Sequence, residues 1–139
     1  MKIVIDSNRA IAALIKDSTT REVLFDEYFE FFAPDYIMTE IHKHENHIVK
    51  VAEITKEEFE TLISLIFEPI KLIPQTEYNE FLEKYKSVIQ DEKDVPYIAV
   101  CFACNAEGVW THDPHFLEQK IIKVFTNIDM LRMSGKAIN

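Results

Sequence analysis

The segment KIVIDSN at residues 2–8 joins a short apolar run to an acid and two small polar residues. Residues 2–5 have the length and the β-branched composition of a buried strand. Asp6 ends this run, and we predict a helix over Arg9–Ile15. A strand that leads into a helix is the opening unit of an α/β domain, in which ligands bind beyond the carboxyl ends of the strands. The sequence therefore directs attention to Asp6.

The rest of the chain repeats this alternation of short apolar runs and amphipathic stretches. Further strands are predicted at Phe31–Ala33, Ile70–Ile73, Val109–Thr111 and Ile121–Phe125, and further helices near Thr20, from Pro34 through Val51, from Thr55 with a capping box, over Glu77–Ile89, over Tyr97–Ala106 and at the carboxyl terminus. Strands separated by helices predict a three-layer α/β/α sandwich with a mainly parallel central sheet. The length of 139 residues fits a single domain over residues 1–139.

Composition narrows the class of protein. A hydrophobic fraction of 47% with 2 Gly and 5 Pro indicates a packed domain and excludes a disordered or linker-rich chain. No apolar run approaches the roughly 20 residues of a membrane-spanning helix, and no signal-peptide core is present, so we expect a cytoplasmic protein without a membrane association. Cys101 and Cys104 are then expected to be thiols inside an apolar helix.

The charge of the chain is acidic. Lys and Arg total 15 against 24 for Asp and Glu, which gives a net charge of −9. This balance opposes attraction to a nucleic-acid backbone. Bound divalent cations would reverse the sign of an acidic pocket, so the local charge of a site can differ from that of the whole chain.

Four acids are placed by their sequence context near one edge of the predicted sheet. Asp6 and Asp113 each follow a strand, Asp94 precedes a helix that Pro96 opens, and Glu40 lies one or two turns inside a predicted helix. Clustered carboxylates repel one another unless a cation neutralises them, and oxygen ligands select hard ions such as Mg²⁺ or Mn²⁺. We predict Asp6, Asp94 and Asp113 as metal ligands, with Glu40 as a fourth catalytic acid.

Other polar residues near these acids are candidates for supporting roles. Asn8 offers an amide oxygen beside the first acid, and Thr111 can hold Asp113 or a water. Asp91 is a further acid that competes for a ligand role, and His112 is placed to contact a substrate phosphate. Each of these residues also has a structural interpretation, because acids and amides at strand ends commonly cap helices.

Two other functions are consistent with acids at strand ends. A phosphoryl-transfer or receiver-type protein uses a strand-end Asp, but a phosphatase of that kind needs a second Asp where Asn8 stands. A noncatalytic binding module would keep the fold and use its surface to hold a protein. The three histidines of the first half of the chain, His42, His44 and His47, are interpreted as a solvated polar face rather than a metal site.

The motifs resemble those of the PIN-domain nucleases, which include the VapC-type toxins of toxin–antitoxin pairs. They are IVIDSN at residues 3–8, PDYIMTEI at 34–41, KDVPYIA at 93–99 and VWTHDPHF at 109–116. The resemblance covers essentially the whole chain. It implies a three-layer fold, Mg²⁺ or Mn²⁺ at the four acids, endonucleolytic cleavage of RNA and a homodimer. An antitoxin that inserts a basic side chain among the acids is a further expectation. The chain departs from the family in its acidity, with only Arg9 and Lys93 as basic residues near the motifs.

Overall fold

Five parallel strands form one sheet within residues 1–136, the part of the chain that the computed structural model describes. They are β1 (Lys2–Ile5), β2 (Glu30–Pro34), β3 (Ile70–Ile73), β4 (Gly108–Trp110) and β5 (Lys123–Phe125). The order across the sheet is β3-β2-β1-β4-β5, and every neighbouring pair is parallel. The prediction of a mainly parallel sheet is therefore confirmed.

The strand order reverses next to β1, the central strand. From β1 the chain builds outward through β2 and β3 on one side, and it then returns to place β4 and β5 on the other. At such a switch point the connections after the two adjacent strands leave toward opposite faces and open a crevice at their carboxyl ends. Ile5 pairs with Trp110 in register, and the Asp6 backbone N–H donates to the Trp110 carbonyl at 3.0 Å. The residues that follow β1 and β4 therefore meet in that crevice.

Helices cover both faces of this sheet. They are α1 (Ser7–Leu14), α2 (Ser18–Leu24), α3 (Tyr36–Lys43), α4 (Glu45–Ala52), α5 (Lys56–Ile66), α6 (Gln75–Tyr85), α7 (Val95–Ala103) and α8 (Asn127–Met133), with a 3-10 helix at Pro114–Glu118. Helix α7 packs on β1, β2 and β4 and carries α6 on its outer side, whereas α1 packs against α2 to α5. Right-handed crossovers place these two groups on opposite faces of the sheet. The result is the three-layer α/β/α sandwich that the sequence predicts.

The core is apolar and centred on β1 and α7. Ile3, Val4 and Ile5 of β1 are fully buried, as are Ile98 and Trp110. Helix α7 is apolar on nearly all sides because it lies between the sheet and α6. Within residues 1–136 no helix is both long and apolar enough to cross a membrane.

The helix predicted from Pro34 is wrong in two respects. Pro34 is the last residue of β2, and the helical stretch is divided at His44 into α3 and α4. Ile41 in α3 and Ile48 in α4 are both fully buried, whereas Val51, near the end of α4, is 48% exposed.

Other element boundaries differ by a few residues. Helix α6 runs over Gln75–Tyr85 rather than Glu77–Ile89, and α7 ends at Ala103, after which Asn105 adopts a left-handed φ of 54°. The predicted capping box of α5 is present, since Thr55 and Glu58 each accept from the other's backbone N–H.

One glycine is required by the packing of the edge strand. A Cβ atom on Gly108 would lie 2.5 Å from the carbonyl oxygen of Lys123 in β5. No side chain fits at that distance, so glycine allows β4 and β5 to pair.

Candidate active site

Asp6 is held in a ring of hydrogen-bond donors at the end of β1. Its Oδ1 accepts from the Ser7 backbone N–H at 2.8 Å, and its Oδ2 accepts from Thr111 Oγ1 at 2.7 Å and from Asn8 Nδ2 at 3.1 Å. The residue is only 5% exposed. Burial raises the pKa of Asp6 to about 6, against the opposing effect of the hydrogen bonds from Thr111 and Ser7. Asp6 therefore caps α1, and its hydrogen bonds offset only part of the effect of burial on its ionised form.

Thr111 connects the loop after β4 to the acid after β1. Its hydroxyl donates to Asp6 and accepts from Asn8 Nδ2 at 2.9 Å and from the Asp113 backbone N–H at 3.0 Å. Thr111 was predicted to hold Asp113 or a water, and in the structure it contacts the backbone of Asp113 and the carboxylate of Asp6. The Asp113 carboxylate, which is 30% exposed, accepts from the His115 backbone N–H at 2.9 Å and begins the 3-10 helix.

Asp94 differs from the other two aspartates because its carboxylate caps nothing. It occupies the N-cap position of α7 without a side-chain cap hydrogen bond and is 7% exposed. Burial raises the pKa of Asp94 to about 7, and the charges of Asp91, Asp6 and Asp113 raise it further toward that value. The Asp94 carboxylate makes no capping hydrogen bond, and no side-chain oxygen within residues 1–136 is both buried and without a partner, so its oxygens keep contact with solvent. A helix cap therefore does not account for this acid.

Glu40 reaches the same region from α3. The hydroxyl of Tyr97 in α7 donates to Glu40 Oε1, and the side chain of Ser7 lies near enough to lower the pKa of Glu40. Burial raises the pKa of Glu40, whereas the Tyr97 hydrogen bond and the nearby charges of Lys93 and Lys43 lower it. The structure thus brings Glu40 within electrostatic range of Asp6, whose pKa it helps to raise.

The four predicted acids therefore face a common region, supplied by β1, α3, α7 and the loop after β4. The donor chemistry fits a hard divalent cation, because every candidate ligand is a carboxylate oxygen and the acids raise one another's pKa. As the side chains stand, no group of three or more His, Cys, Asp or Glu residues within positions 1–136 is close enough together to hold a metal ion. The site has the ligands for a cation without a preformed coordination shell.

Asp91 lies beside Asp94 rather than in its place. Its Oδ1 accepts from the Lys93 backbone N–H at 3.0 Å, and its Oδ2 is 3.9 Å from His115 Nδ1. The charge of Asp91 is the largest electrostatic contribution to the raised pKa of Asp94. Asp91 therefore adds negative charge to the region while its own carboxylate shapes the loop before α7.

The ring of His112 is directed to the start of α8. Its Nε2 accepts from the Asn127 backbone N–H at 3.1 Å, and burial together with the charge of Arg9 lowers the pKa of His112. A neutral ring with its acceptor nitrogen occupied is a helix cap. This geometry gives no support to the predicted contact between His112 and a substrate phosphate.

The histidines and cysteines outside this region have structural surroundings. His42 hydrogen-bonds to the Met38 carbonyl and to Glu60 on an exposed face, as expected for a solvated side chain. Cys101 is a buried free thiol and Cys104 is partly buried.

Sequence reasoning missed two residues near Glu40. Tyr97 holds Glu40 by a hydrogen bond, and the charge of Lys43 lowers its pKa. The hydroxyl of Ser7 was expected beside Asp6, but its effect on the pKa of Glu40 was not. Tyr97 was available as a signal, because a hydroxyl inside an otherwise apolar helix requires a partner when it is buried. The proximity of Ser7 and Lys43 depends on how α1 and α3 pack, and local sequence does not determine that.

A groove opens next to Asp94. It has a volume of about 840 Å³ and runs between the loop at residues 88–94 and the side chains of His115, Glu118 and Gln119. A smaller pocket of about 360 Å³ adjoins Asp113 on the side of α8. Asp94 therefore faces the groove and Asp113 the smaller pocket, whereas Asp6 and Glu40 line neither.

Comparisons with known proteins agree with this architecture. A family model described as "PIN domain" matches residues 4–127. A chain in the crystal structure of VapBC2 from Rickettsia felis bound to a DNA fragment from their promoter matches with a TM-score of 0.66 and 13% sequence identity, over 91% of this chain and 98% of that chain. No curated protein matches the sequence. At this identity the structural match concerns the fold, whereas the family model concerns the sequence itself.

Proposed function

This chain belongs to the PIN-domain family, and from that membership and the arrangement of its acids we propose that it is a Mg²⁺- or Mn²⁺-dependent endoribonuclease. The observation that supports the proposal is the convergence of four acidic side chains at the switch point between β1 and β4. Asp94 in particular is only 7% exposed, makes no capping hydrogen bond and has a pKa raised to about 7. Such a group is costly in a folded protein unless a cation or a substrate uses it.

The residues divide into ligands and supports. Asp6, Asp94 and Asp113 hold the cation, and Asn8 and Thr111 orient Asp6 from behind. Glu40, held by Tyr97, is placed to accept a proton from the attacking water because its pKa is raised by burial. A bound Mg²⁺ or Mn²⁺ supplies charge stabilisation at the scissile phosphate and activates water, so no nucleophilic side chain is needed.

RNA is the proposed substrate despite the net charge of −9. Lys93 and Lys43 lie near enough to Glu40 for their charges to lower its pKa. Lys93 also lines the groove beside Asp94, where it offers a phosphate contact. Cation binding reduces the remaining repulsion between the acids and the RNA backbone.

The test is metal-dependent cleavage of a labelled RNA pool by the purified protein. We expect cleavage with Mn²⁺ or Mg²⁺, none with EDTA, and none by the Asp6→Asn or Asp94→Asn variants although both fold. Failure of the parent to cleave any RNA with either metal, or undiminished cleavage by the two variants, would leave the noncatalytic binding module as the better account.

A protein inhibitor is also part of this proposal. A solved structure that shares the fold is a VapBC complex, and an acidic pocket suits a partner that inserts an arginine among the carboxylates. Copurification of the tagged protein from its native source should recover a small partner whose release restores cleavage. Recovery of the protein alone at physiological concentration would contradict a dedicated antitoxin.

We further propose that residues 1–139 form a single domain that acts in the cytoplasm as a homodimer. A single cooperative unfolding transition, and a light-scattering mass twice the chain mass of 16.3 kDa, are the expected results. Two separate transitions would contradict the single domain, and a mass equal to that of one chain would contradict the dimer.

A further inference from the structure

Arg9 is a buried cation immediately behind the acids. It lies on α1, is 9% exposed, and has no carboxylate within salt-bridge distance among residues 1–136. Its guanidinium donates instead to three neutral oxygens, Asn8 Oδ1 at 3.1 Å, Thr20 Oγ1 at 3.2 Å and Asn127 Oδ1 at 3.5 Å. A buried charge without a direct ion partner is unfavourable, so its position calls for an explanation.

The contact between Arg9 and Asn8 helps to fix which way the Asn8 amide points. Arg9 Nε can only donate, and so can the His112 backbone N–H, which also reaches Asn8 Oδ1 at 3.3 Å. Two donors on one side require the amide oxygen there. The amide nitrogen must then face Asp6 and Thr111, as the structure has it.

The orientation of Asn8 in turn determines the proton of Thr111. Thr111 Oγ1 accepts from Asn8 Nδ2 and from the Asp113 backbone N–H, so its one proton is left for Asp6 Oδ2 at 2.7 Å. With Asn8 reversed, its carbonyl oxygen would face the carboxylate of Asp6. Asp6 would lose one donor and gain a repulsive neighbour.

We propose that Arg9 is a positioning residue for the cation site, acting through the side-chain amide of Asn8 to fix the hydrogen bonds that hold Asp6. The inference rests on the proposed function, because it concerns how Asp6 is prepared for a cation. It adds a residue outside the four acids, and it assigns a role to the one buried arginine among the described positions 1–136.

The matched substitution is Arg9→Lys. Lysine keeps the charge and much of the volume but has a methylene group where arginine has Nε, so the donor to Asn8 is lost. Thr20→Val is the control, since it removes another polar partner of Arg9 without touching Asn8. Both variants disturb the packing between α1 and α2, and only Arg9→Lys should disturb the acids.

The first measurement uses the metal-free protein. The side-chain amide resonances of Asn8 are observed by ¹⁵N NMR in the parent, Arg9→Lys and Thr20→Val. We expect the Asn8 pair to shift and broaden in Arg9→Lys and to remain unchanged in Thr20→Val. Unchanged Asn8 signals in Arg9→Lys would overturn the proposal whatever the protein does with metals.

The second measurement is the affinity for Mn²⁺, followed by electron paramagnetic resonance. We expect Arg9→Lys to weaken binding about tenfold, the lower range for loss of an outer-shell partner, and Thr20→Val to change it by less than about twofold. Asn8→Ala should weaken binding as much as Arg9→Lys, and the double variant no more than Asn8→Ala alone, because one residue acts through the other. A double variant that binds Mn²⁺ more weakly than Asn8→Ala would overturn the proposal. This comparison does not need the single variant Arg9→Lys, so it remains possible if Arg9→Lys folds only in the Asn8→Ala background.

These two readouts separate the inference from the proposed function. If the parent binds no Mn²⁺ but Arg9→Lys still releases the Asn8 amide, the nuclease proposal fails and the positioning of Asn8 by Arg9 stands. If the parent binds Mn²⁺ through Asp6 but Arg9→Lys binds it equally well, the nuclease proposal stands and the role of Arg9 fails.

Discussion

Two buried tyrosines each donate their hydroxyl to a carboxylate, and the two pairs serve different ends. Tyr97 in α7 donates to Glu40, and Tyr78 in α6 donates to Asp35 at 2.7 Å. Both rings are almost completely buried, at 1% and 2% exposure. In both cases burial and the neighbouring carboxylate raise the pKa of the tyrosine.

The surroundings of the two carboxylates distinguish the pairs. Asp35 follows β2 as Asp6 follows β1, but it is exposed, and its second oxygen accepts from the Gln75 backbone N–H at 3.3 Å. It fastens the end of β2 to the start of α6. Glu40 lies by contrast within electrostatic range of Asp6. An acid at the carboxyl edge of the sheet is therefore not sufficient for a site, and the switch point between β1 and β4 is what gathers several acids in one place.

The largest effect is expected when a carboxylate of the proposed site is substituted, with Asp35 outside the site as the control. Asp94→Asn should reduce Mn²⁺-dependent RNA cleavage at least about 10³-fold, because a ligand is lost. The variant should be no less stable than the parent near neutral pH, since an amide carries no charge to desolvate. Asp35→Asn, which keeps an acceptor for Tyr78, should cleave like the parent. Cleavage rates and urea unfolding of the three proteins measure both effects, and equal losses in the two variants would contradict the distinction.

The second prediction concerns the tyrosines. Tyr97→Phe should lower cleavage about 10- to 100-fold, as expected when a residue that orients a catalytic acid is removed. Tyr78→Phe removes the same hydroxyl from the other pair and should leave cleavage within about twofold while lowering stability by about 1 kcal/mol. Single-turnover kinetics at saturating Mn²⁺ measure the difference. Parallel losses of activity would show that Tyr97 has no special relation to Glu40.

The pH dependence of the metal-free protein is the third prediction. The pKa values of Asp6 and Asp94 are raised to about 6 and about 7 from 3.8, so the folded state keeps protons that the unfolded chain releases. The free energy of unfolding should therefore fall as pH rises from about 4 to about 7 and then level off.

Binding of Mn²⁺ should change in the opposite direction over the same range. Because protons compete for the same oxygens, the affinity should rise about tenfold as pH increases toward 7.5. Urea unfolding and Mn²⁺ titrations at several pH values test the pair of trends. Asp94→Asn should remove most of the pH dependence of the free energy of unfolding. If the dependence remains steep in this variant, groups other than Asp94 cause it.

The smallest effect is expected from a substitution outside the site, which lowers stability without changing activity. Thr55→Ala removes one half of the capping box of α5 and should lower stability by about 1 kcal/mol. Affinity for Mn²⁺ and cleavage should remain those of the parent, because α5 contributes no acid to the site. A loss of cleavage in Thr55→Ala would mean that activity follows overall stability, and the contrast between the two tyrosine pairs would lose its meaning.

Local pattern was sufficient for the parallel sheet and for the choice of candidate acids. Apolar runs such as Ile3–Ile5 are properties of a few neighbouring residues, and so are the boundaries marked by Pro96 at the start of α7 and Gly108 at the start of β4. The predicted elements at these positions agree with the structure. The division of the helix at His44 was not predicted, because it depends on which side chains the sheet can accept. Periodicity alone describes a helix and not the surface on which it packs.

The supporting residues of the site were harder to recognise for the same reason. Asn8 and Thr111 were identified because they lie two residues from an acid in sequence, whereas Tyr97 acts on Glu40, which packing brings to it. His112 shows the opposite case. It adjoins Asp113 in sequence, but its ring nitrogen accepts from the first residue of α8, so the predicted contact with a substrate phosphate stays a prediction without structural support.

The central position of β1 also affects how the chain acquires its shape during translation. β1 leaves the ribosome before its neighbour β4, with which Val4 pairs at Val109, so one of its two partners is supplied roughly a hundred residues later. Until then β1 has an open side, and Asp6 lacks the hydroxyl of Thr111. A nascent chain therefore carries Asp6 long before the later acids can join it, and the assembled centre exists only after β4 and the loop that follows it have left the exit tunnel.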